Sequence, residues 1–311
     1  MSIEEKKKIA TRQSYGEALA ELGEENKNVV VLDADLSTAT KTINFAKKFP
    51  GRFFDMGIAE QDMMGTAVGL ANFGKIPYVS TFAVFAAGRA YDQVRNSIAH
   101  THANVKICAT HAGITVGEDG ATHQMLEDIN IMRCIPNMIV MSTSDDRQTR
   151  WAVEKISKIN GPVYLRLSRV ATPEIYTEET NFEIGKGIQI GEGRDATIFA
   201  TGVTVSESIK AQEKLKELGI DVRVVDIHTI KPIDEDLIVK CAMETRKLIT
   251  VEDHSIIGGL GGAVEDVLCS KYPRTLKKLG INDTFGESGK AEELLKKYEI
   301  DADAIIKAVK L

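Results

Sequence analysis

Three loops in this chain concentrate side chains able to do chemistry. The first reads Met56-Gly57-Ile58-Ala59-Glu60-Gln61-Asp62-Met63-Met64 and puts a carboxylate at a strand-to-helix junction. Desolvation by Ile58, Met63 and Met64 would disfavour the ionised form of Glu60, as a proton donor or acceptor requires. A plain helix-start acid favoured by the helix dipole explains the same local pattern, and both readings stay open. The second loop, from Ser80-Thr81-Phe82 to Arg89-Ala90-Tyr91-Asp92, spaces Phe82 and Phe85 three apart in a chain that is only 6% aromatic. Such a pair suits a stacking wall for a planar ring, although core packing gives the same spacing. The third loop, Thr110 to Gln124, gathers His111, Glu118, Asp119 and His123 among Gly113, Gly117 and Gly120. It is too polar for a strand and too glycine-rich for a helix, and its donors and acceptors suit sugar hydroxyls. The two histidines stand twelve positions apart, so no compact ligand pair supports a metal site.

These loops need a scaffold that brings strand ends together. Short Val- and Ile-rich runs at 29–32, 53–55, 77–81, 105–110, 138–141 and 163–167 alternate with helical patterns at 13–22, 60–72, 88–99 and 145–157. That alternation predicts parallel strands joined by crossover helices, an α/β fold in which ligands bind at strand carboxyl ends. Periodicity fades after residue 172, leaving only a strand signal at 187–190. A second alternating set follows, with strands at 196–200, 222–226 and 248–251 and helices at 205–218, 234–242 and 261–270. The expected organisation is two doubly wound α/β domains with mainly parallel sheets, at 1–172 and 194–311, joined by a linker at 173–193. A length of 311 residues agrees with two cores rather than one.

Composition narrows the classes of function. With 43% hydrophobic and 27% charged residues the chain is an ordinary globular protein, and a net charge of −6 leaves no general field for nucleic acid or anionic lipid. Neither nucleic acid nor membrane is expected as a partner. Lysines at the N-terminus have no apolar stretch behind them, and no 18-residue apolar run occurs, so a cytoplasmic location is expected. Cys108, Cys134, Cys241 and Cys269 lack zinc-knuckle spacing and read as buried, reduced thiols. His100-Thr101-His102 is spaced for one face of a strand, with a structural role expected. Gly258-Gly259-Leu260-Gly261-Gly262 is read as a tight strand-to-helix turn, because the third glycine of a dinucleotide fingerprint would fall on Val264.

Taken together, several motifs resemble one family. Gly57-Ile58-Ala59-Glu60-Gln61, the Ser80-Thr81-Phe82 to Gln93 run, Gly117-Glu118-Asp119-Gly120-Ala121-Thr122-His123-Gln124 and Leu167-Ser168-Arg169 resemble the C-terminal section of transketolase in order and spacing. Val251-Glu252-Asp253-His254-Ser255 and the glycine run after it extend the resemblance nearly to the full chain. It implies a pyrimidine-binding domain followed by the transketolase C-terminal domain. The implied cofactor is thiamine diphosphate, with Glu60 hydrogen-bonded to its aminopyrimidine and promoting the imino tautomer. Phe85, with Phe82 beside it, resembles the aromatic wall against the pyrimidine, and Gly88 stands where many members carry a tyrosine. Asp35-Leu36-Ser37-Thr38 occupies the place of a family loop near the diphosphate and sugar, with an altered pattern.

On the substrate side the resemblance makes His111, Asp119 and His123 groups that bind sugar hydroxyls and assist proton transfer. Arg169, Arg12 and His111 become the positive cluster for a sugar phosphate, a role that suits the planar guanidinium fork. The family's Gly-Asp-Gly metal motif and its later Asn pair are both missing. Magnesium or calcium would therefore be held mainly by a separate N-terminal transketolase subunit, most simply in a two-fold symmetric heterotetramer, with self-association also expected. The implied reaction is two-carbon ketol transfer between ketose and aldose phosphates. Deoxyxylulose phosphate synthase, the beta subunit of a 2-oxoacid decarboxylase component and a noncatalytic regulatory subunit are the alternatives. Gly117-Glu118-Asp119-Gly120 favours transketolase.

Overall fold

The computed structural model describes residues 2–311. The chain up to residue 173 supplies strands β1 (Lys8–Ala10), β2 (Val29–Asp33), β3 (Phe53–Asp55), β4 (Ile76–Phe82), β5 (Lys106–Thr110), β6 (Ile139–Ser142), β7 (Val163–Arg166) and β8 (Ala171–Pro173). The second half adds β9 (Ile188–Ile190), β10 (Ala196–Ala200), β11 (Val222–Asp226), β12 (Thr229–Lys231), β13 (Lys247–Ser255) and β14 (Lys277–Ile281). One sheet runs β12-β6-β7-β5-β4-β2-β3 and the other β14-β13-β10-β11-β9, while β1 and β8 form a separate antiparallel ribbon. Within the large sheets only β12 and β9 pair antiparallel. The fold is thus α/β with mainly parallel sheets.

Both faces of each sheet are covered, which is why the strands read as unbroken apolar runs. Along β2 the side chains alternate between two cores: Val30 and Leu32 join Met63, Val79 and Ile107 on one side, while Val29 and Val31 join Tyr15, Leu19 and Phe45 on the other. In the second sheet Ile198 and Ala200 pack with Val205 and Ile305, and Phe199 with Ile238 and Leu260. The acidic signal at residue 145 is a true cap, since the Asp145 carboxylate accepts from Gln148 N at 2.8 Å to open helix Asp146–Ser157. The glycine run is the expected turn: Glu252 accepts from Leu260 N and Gly261 N at the start of helix Leu260–Lys271.

Four readings change. Strand β12, in the second half of the chain, adds itself to the edge of the first sheet beside β6. The stretch read as a helix at 88–99 is instead two π-helical segments, Val84–Arg89 and Gln93–Ala99, and Ala90 N–H donates to the Phe85 carbonyl five residues back. His100-Thr101-His102 lies in the turn after the second segment, not in a strand. Cys108 and Cys241 are buried thiols as expected, but Cys134 and Cys269 are exposed. No helix among the described residues is long and apolar enough to cross a membrane.

The strand order also fixes where a site belongs. The chain leaves β2 toward β3 on one side, whereas it leaves β4 toward β5 on the other. Connections that diverge in this way open a crevice at the carboxyl ends of the two strands. The loops after β2, β3, β4 and β5 meet there.

Candidate active site

Glu60 opens helix Glu60–Asn72 and is only 2% exposed. The turn before it uses Gly57 at φ 66°, with Gly57 N–H and Asp35 N–H both donating to Asp55 Oδ1 at 3.0 and 3.1 Å. The surroundings of Glu60 differ from the sequence expectation. Met63 and Met64 are buried, but Ile58 projects to solvent, and Arg89 Nη1 donates to both Glu60 oxygens at 2.9 Å. An ion pair stands where an apolar enclosure was expected. The same guanidinium lies 4.3 Å from the Phe85 ring centroid. Sequence reasoning quoted Arg89 without giving it a role; its signal was a cation one turn beyond an aromatic side chain.

Phe82 and Phe85 stack with centroids 6.0 Å apart and an interplanar angle of 10°. Phe82 ends β4 and is buried, while Phe85 is half-buried. The His111 ring also stacks on Phe82 at 3.8 Å, and His123 meets Phe85 edge-on at 5.6 Å. The two loops therefore share one aromatic cluster. His111 takes a left-handed conformation, φ 55°, directly after β5.

The hydrogen bonds around His111 assign its state. Arg12 Nη1 lies 3.0 Å from Nε2 and can only donate, so Nε2 accepts and Nδ1 carries the proton toward Thr110 Oγ1 at 2.9 Å. Desolvation, with help from the Arg12 and Arg169 charges, pulls the imidazole pKa down to about 3. His111 is consequently neutral in the chain without ligand, so the positive charge there is carried by Arg12 and Arg169. The His111 Nε2 is held by the Arg12 guanidinium.

Arg12 also donates to Ala39 O at 3.0 Å, and its pKa is lowered by desolvation and then by the Arg169 charge. Arg169 Nη1 donates to Val116 O and to Glu118 Oε2, the latter at 2.9 Å. Asp119, exposed at the end of the 3₁₀ segment Ile114–Asp119, exerts a field that opposes the drop at Arg12. Arg12 and His111 are thus in contact, and the charges of Arg169 and Asp119 act on Arg12. Beyond Arg12 opens a cleft of about 500 Å³ lined by Lys7, Lys8, Gln13 and Lys41. Lys41 was not read from sequence; it reaches the cleft from a left-handed position, φ 72°, that only the folded loop reveals.

That loop is built on Asp33. Its carboxylate accepts from Leu36 N at 2.7 Å, Thr40 Oγ1 at 2.7 Å and Thr42 Oγ1 at 2.8 Å. Desolvation raises its pKa to about 6, against the pull of these bonds. Exposed Asp35, at φ 59°, and half-buried Leu36 are presented at the mouth of the crevice. All ten residues singled out from sequence lie on loops or element ends at one end of the sheet. Among the described residues no three or more His, Cys, Asp or Glu side chains gather as a metal site.

Comparison with known proteins agrees with this geometry. Residues 7–174 match the transketolase pyrimidine binding domain, and residues 185–305 match the transketolase C-terminal domain. The chain belongs to the transketolase family. A Methanocaldococcus jannaschii chain provisionally named as a transketolase C-terminal section is 54% identical over 301 residues, covering 96% of this chain and 94% of that one. A 6-deoxy-6-sulfo-D-fructose transketolase subunit of a Clostridium species is 41% identical, covering 96% of this chain and 92% of its own. Human transketolase is 39% identical over 97% of this chain, but those residues make up only 49% of the human protein. Among solved structures, a split gene transketolase described as an inactive beta4 tetramer superimposes with a TM-score of 0.91 at 52% identity, over 97% of each chain. This transketolase-family chain therefore has the length of the split-gene members and about half that of human transketolase.

Proposed function

We propose that this chain is the C-terminal subunit of a thiamine diphosphate-dependent transketolase that moves a two-carbon ketol unit between ketose and aldose phosphates. The observation that carries the reading is the convergence, at one sheet end, of a helix-start acid, a stacked aromatic pair and a cluster of two histidines and two arginines. The donor set fits the pyrimidine end of thiamine diphosphate: a buried carboxylate for a ring nitrogen and aromatic faces for the ring. It offers no oxygen cluster for the diphosphate's metal, which needs several hard oxygen ligands. An N-terminal subunit would bring magnesium or calcium and close the crevice. The split-gene neighbour, described as inactive in its beta4 form, supports that division of labour.

When bound, thiamine diphosphate supplies the electron sink for carbon–carbon cleavage. Phe85, with Phe82 packed against it, would line the aminopyrimidine ring. Glu60 would exchange a proton with that ring, with Arg89 competing for the same carboxylate. His123, half-buried beside Phe85, takes and returns the proton of a substrate hydroxyl. Asp119 accepts a hydrogen bond from a second hydroxyl and so reads its configuration. His111 keeps Arg12 aimed at the crevice, and Arg12 with Arg169 holds the terminal phosphate in charge-assisted bonds.

The test is reconstitution. The chain mixed with an N-terminal transketolase subunit, thiamine diphosphate, magnesium, xylulose phosphate and ribose phosphate should release glyceraldehyde phosphate. The pure chain should release none and bind the cofactor weakly. Micromolar cofactor affinity with turnover from the pure chain would overturn the split-site reading.

A further inference from the structure

We infer that Asp253, in the C-terminal domain, is a positioning residue for the loop that carries Asp119, so that the C-terminal domain sets the sugar selectivity of a site in the other domain. The selectivity half of this rests on the proposed role of Asp119; the clamp itself rests on geometry alone. Asp253 sits in β13 and is 2% exposed. Its Oδ1 accepts from Ile114 N at 2.6 Å, and its Oδ2 accepts from Thr115 Oγ1 at 2.6 Å and Thr115 N at 3.4 Å. These are the first N–H groups of the 3₁₀ segment ending at Asp119, and Gly113 before them has no side chain to cap them. A carboxylate some 139 positions away does the capping instead.

The approach is close by construction. A Cβ on Gly113, which has φ +84°, would lie 2.2 Å from Asp253 Oδ2. Arg166 fixes the other side of the clamp, donating to the Asp253 carbonyl at 2.8 Å while its Nε holds Asp128 at 2.8 Å. The far end of the loop is tied to the same domain. Gln124 Nε2 donates to Ile114 O, Gly117 O and Glu287 O, and Ile114 and Leu126 pack on Ile281, Leu294 and Ile300. The second domain therefore holds the loop along its length, with Gly289 and Ser288 close against Gly117 and Gly120 as well, and leaves the Asp119 side chain exposed.

A carboxylate can accept at both oxygens, whereas an amide turns one of them into a donor facing Thr115 N–H. Asp253→Asn should loosen the segment, and Thr115→Val, which removes one donor and keeps the shape, should do so more mildly. The experiment uses the enzyme assembled with its N-terminal subunit. Asp253→Asn should lower kcat/KM for xylulose phosphate by about tenfold or more and Thr115→Val by about three- to tenfold, while hydroxypyruvate, which lacks the chiral hydroxyl, changes by less than about threefold in either. Backbone amides of residues 114–119 should exchange with solvent about tenfold faster or more, with the cores of both domains still protected. Equal losses on the two donors would overturn the selectivity claim, and unchanged exchange at residues 114–119 in Thr115→Val would overturn the clamp. Asp119→Ala is the control. If it fails to separate the two donors, the reading of Asp119 falls and takes the selectivity claim with it, while the exchange result still decides the clamp.

Discussion

Arg89 donates through one nitrogen to both oxygens of Glu60, at 2.9 Å each, while its guanidinium rests on the face of Phe85. The acid and one half of the aromatic wall assigned to the pyrimidine are thus already engaged by a cation of the same chain. Phe85 and Arg89 are four residues apart in the π-helical segment Val84–Arg89, one turn from each other. The Arg89 side chain is 46% exposed, so the pair can open without disturbing the core.

Arg89→Ala should therefore tighten cofactor binding in the assembled enzyme. A half-exposed ion pair with a cation–π contact contributes about 0.5 to 1.5 kcal/mol, so its removal should improve the Kd for thiamine diphosphate by roughly two- to tenfold. Titration calorimetry of variant and parent with magnesium present decides the matter. Weaker binding in the variant would mean that Arg89 contacts the cofactor instead of standing in for it.

Glu60→Gln should fold and assemble normally, since the amide still accepts from Arg89 through one oxygen, yet lose turnover. Proton transfer by a positioned acid or base typically supplies about 10²- to 10⁴-fold, and a loss in that range is expected in kcat. Turnover within about threefold of the parent would return Glu60 to the status of an ordinary helix-start acid.

Much of the scaffold was legible because the relevant signals are local. Strands β10 and β11 and helix Glu60–Asn72 have the bounds expected from their apolar runs and from an acid after a glycine turn. What escaped were contacts made by topology. The ribbon joining Lys8–Ala10 to Ala171–Pro173 and the crossing of Thr229–Lys231 to the first sheet are pairings between distant, three-residue segments with too little pattern to read. The π-helical turn at Val84–Arg89 has an ordinary helical composition, and its extra residue per turn leaves no mark on the sequence. In the site, residue types were readable but charge states were not. Arg12 neutralises the case for a charged His111 only because the fold brings helix Thr11–Glu25 against the end of β5. Asp253 belonged to a recognised motif, yet nothing in its neighbours pointed across to Thr115.

Arg169→Ala should raise KM for phosphorylated donors far more than for hydroxypyruvate. A charge-assisted contact to phosphate is worth about 1.5 to 3 kcal/mol, or roughly 10- to 150-fold. In the free chain Arg169 is held by Glu118 and Val116 O, so binding a phosphate means exchanging the Glu118 partner. Steady-state kinetics on both donor types check this, and equal losses would remove Arg169 from the phosphate site.

The last prediction concerns acid stability and centres on His228. This ring is fully buried, meets Trp151 edge-on at 5.3 Å, bonds through Nδ1 to Thr229 Oγ1 at 3.0 Å, and has no partner for Nε2 among the described residues. Burial pulls its pKa down to about 4. Above the unfolded value, about 6.5, the ring is neutral in both states and contributes nothing to pH dependence. As pH falls from there toward 4, the unfolded chain takes up a proton that the folded chain refuses, so stability is lost. His254, also pulled to about 4, acts in the same direction. Glu252, raised by burial to about 7, and Asp226, raised to about 6, act oppositely, because their folded states hold protons that the unfolded chain has released. His111, pulled to about 3, and Asp33, raised to about 6, add further contributions of each sign, so only a difference between variants isolates one group. His228→Phe keeps the aromatic contacts and removes the titration. Urea unfolding of parent and variant at pH 7 and pH 4.5 should show the parent losing about 2 to 3 kcal/mol more than the variant over that interval. Identical losses would place the acid sensitivity elsewhere and show that water reaches the His228 ring in the native state.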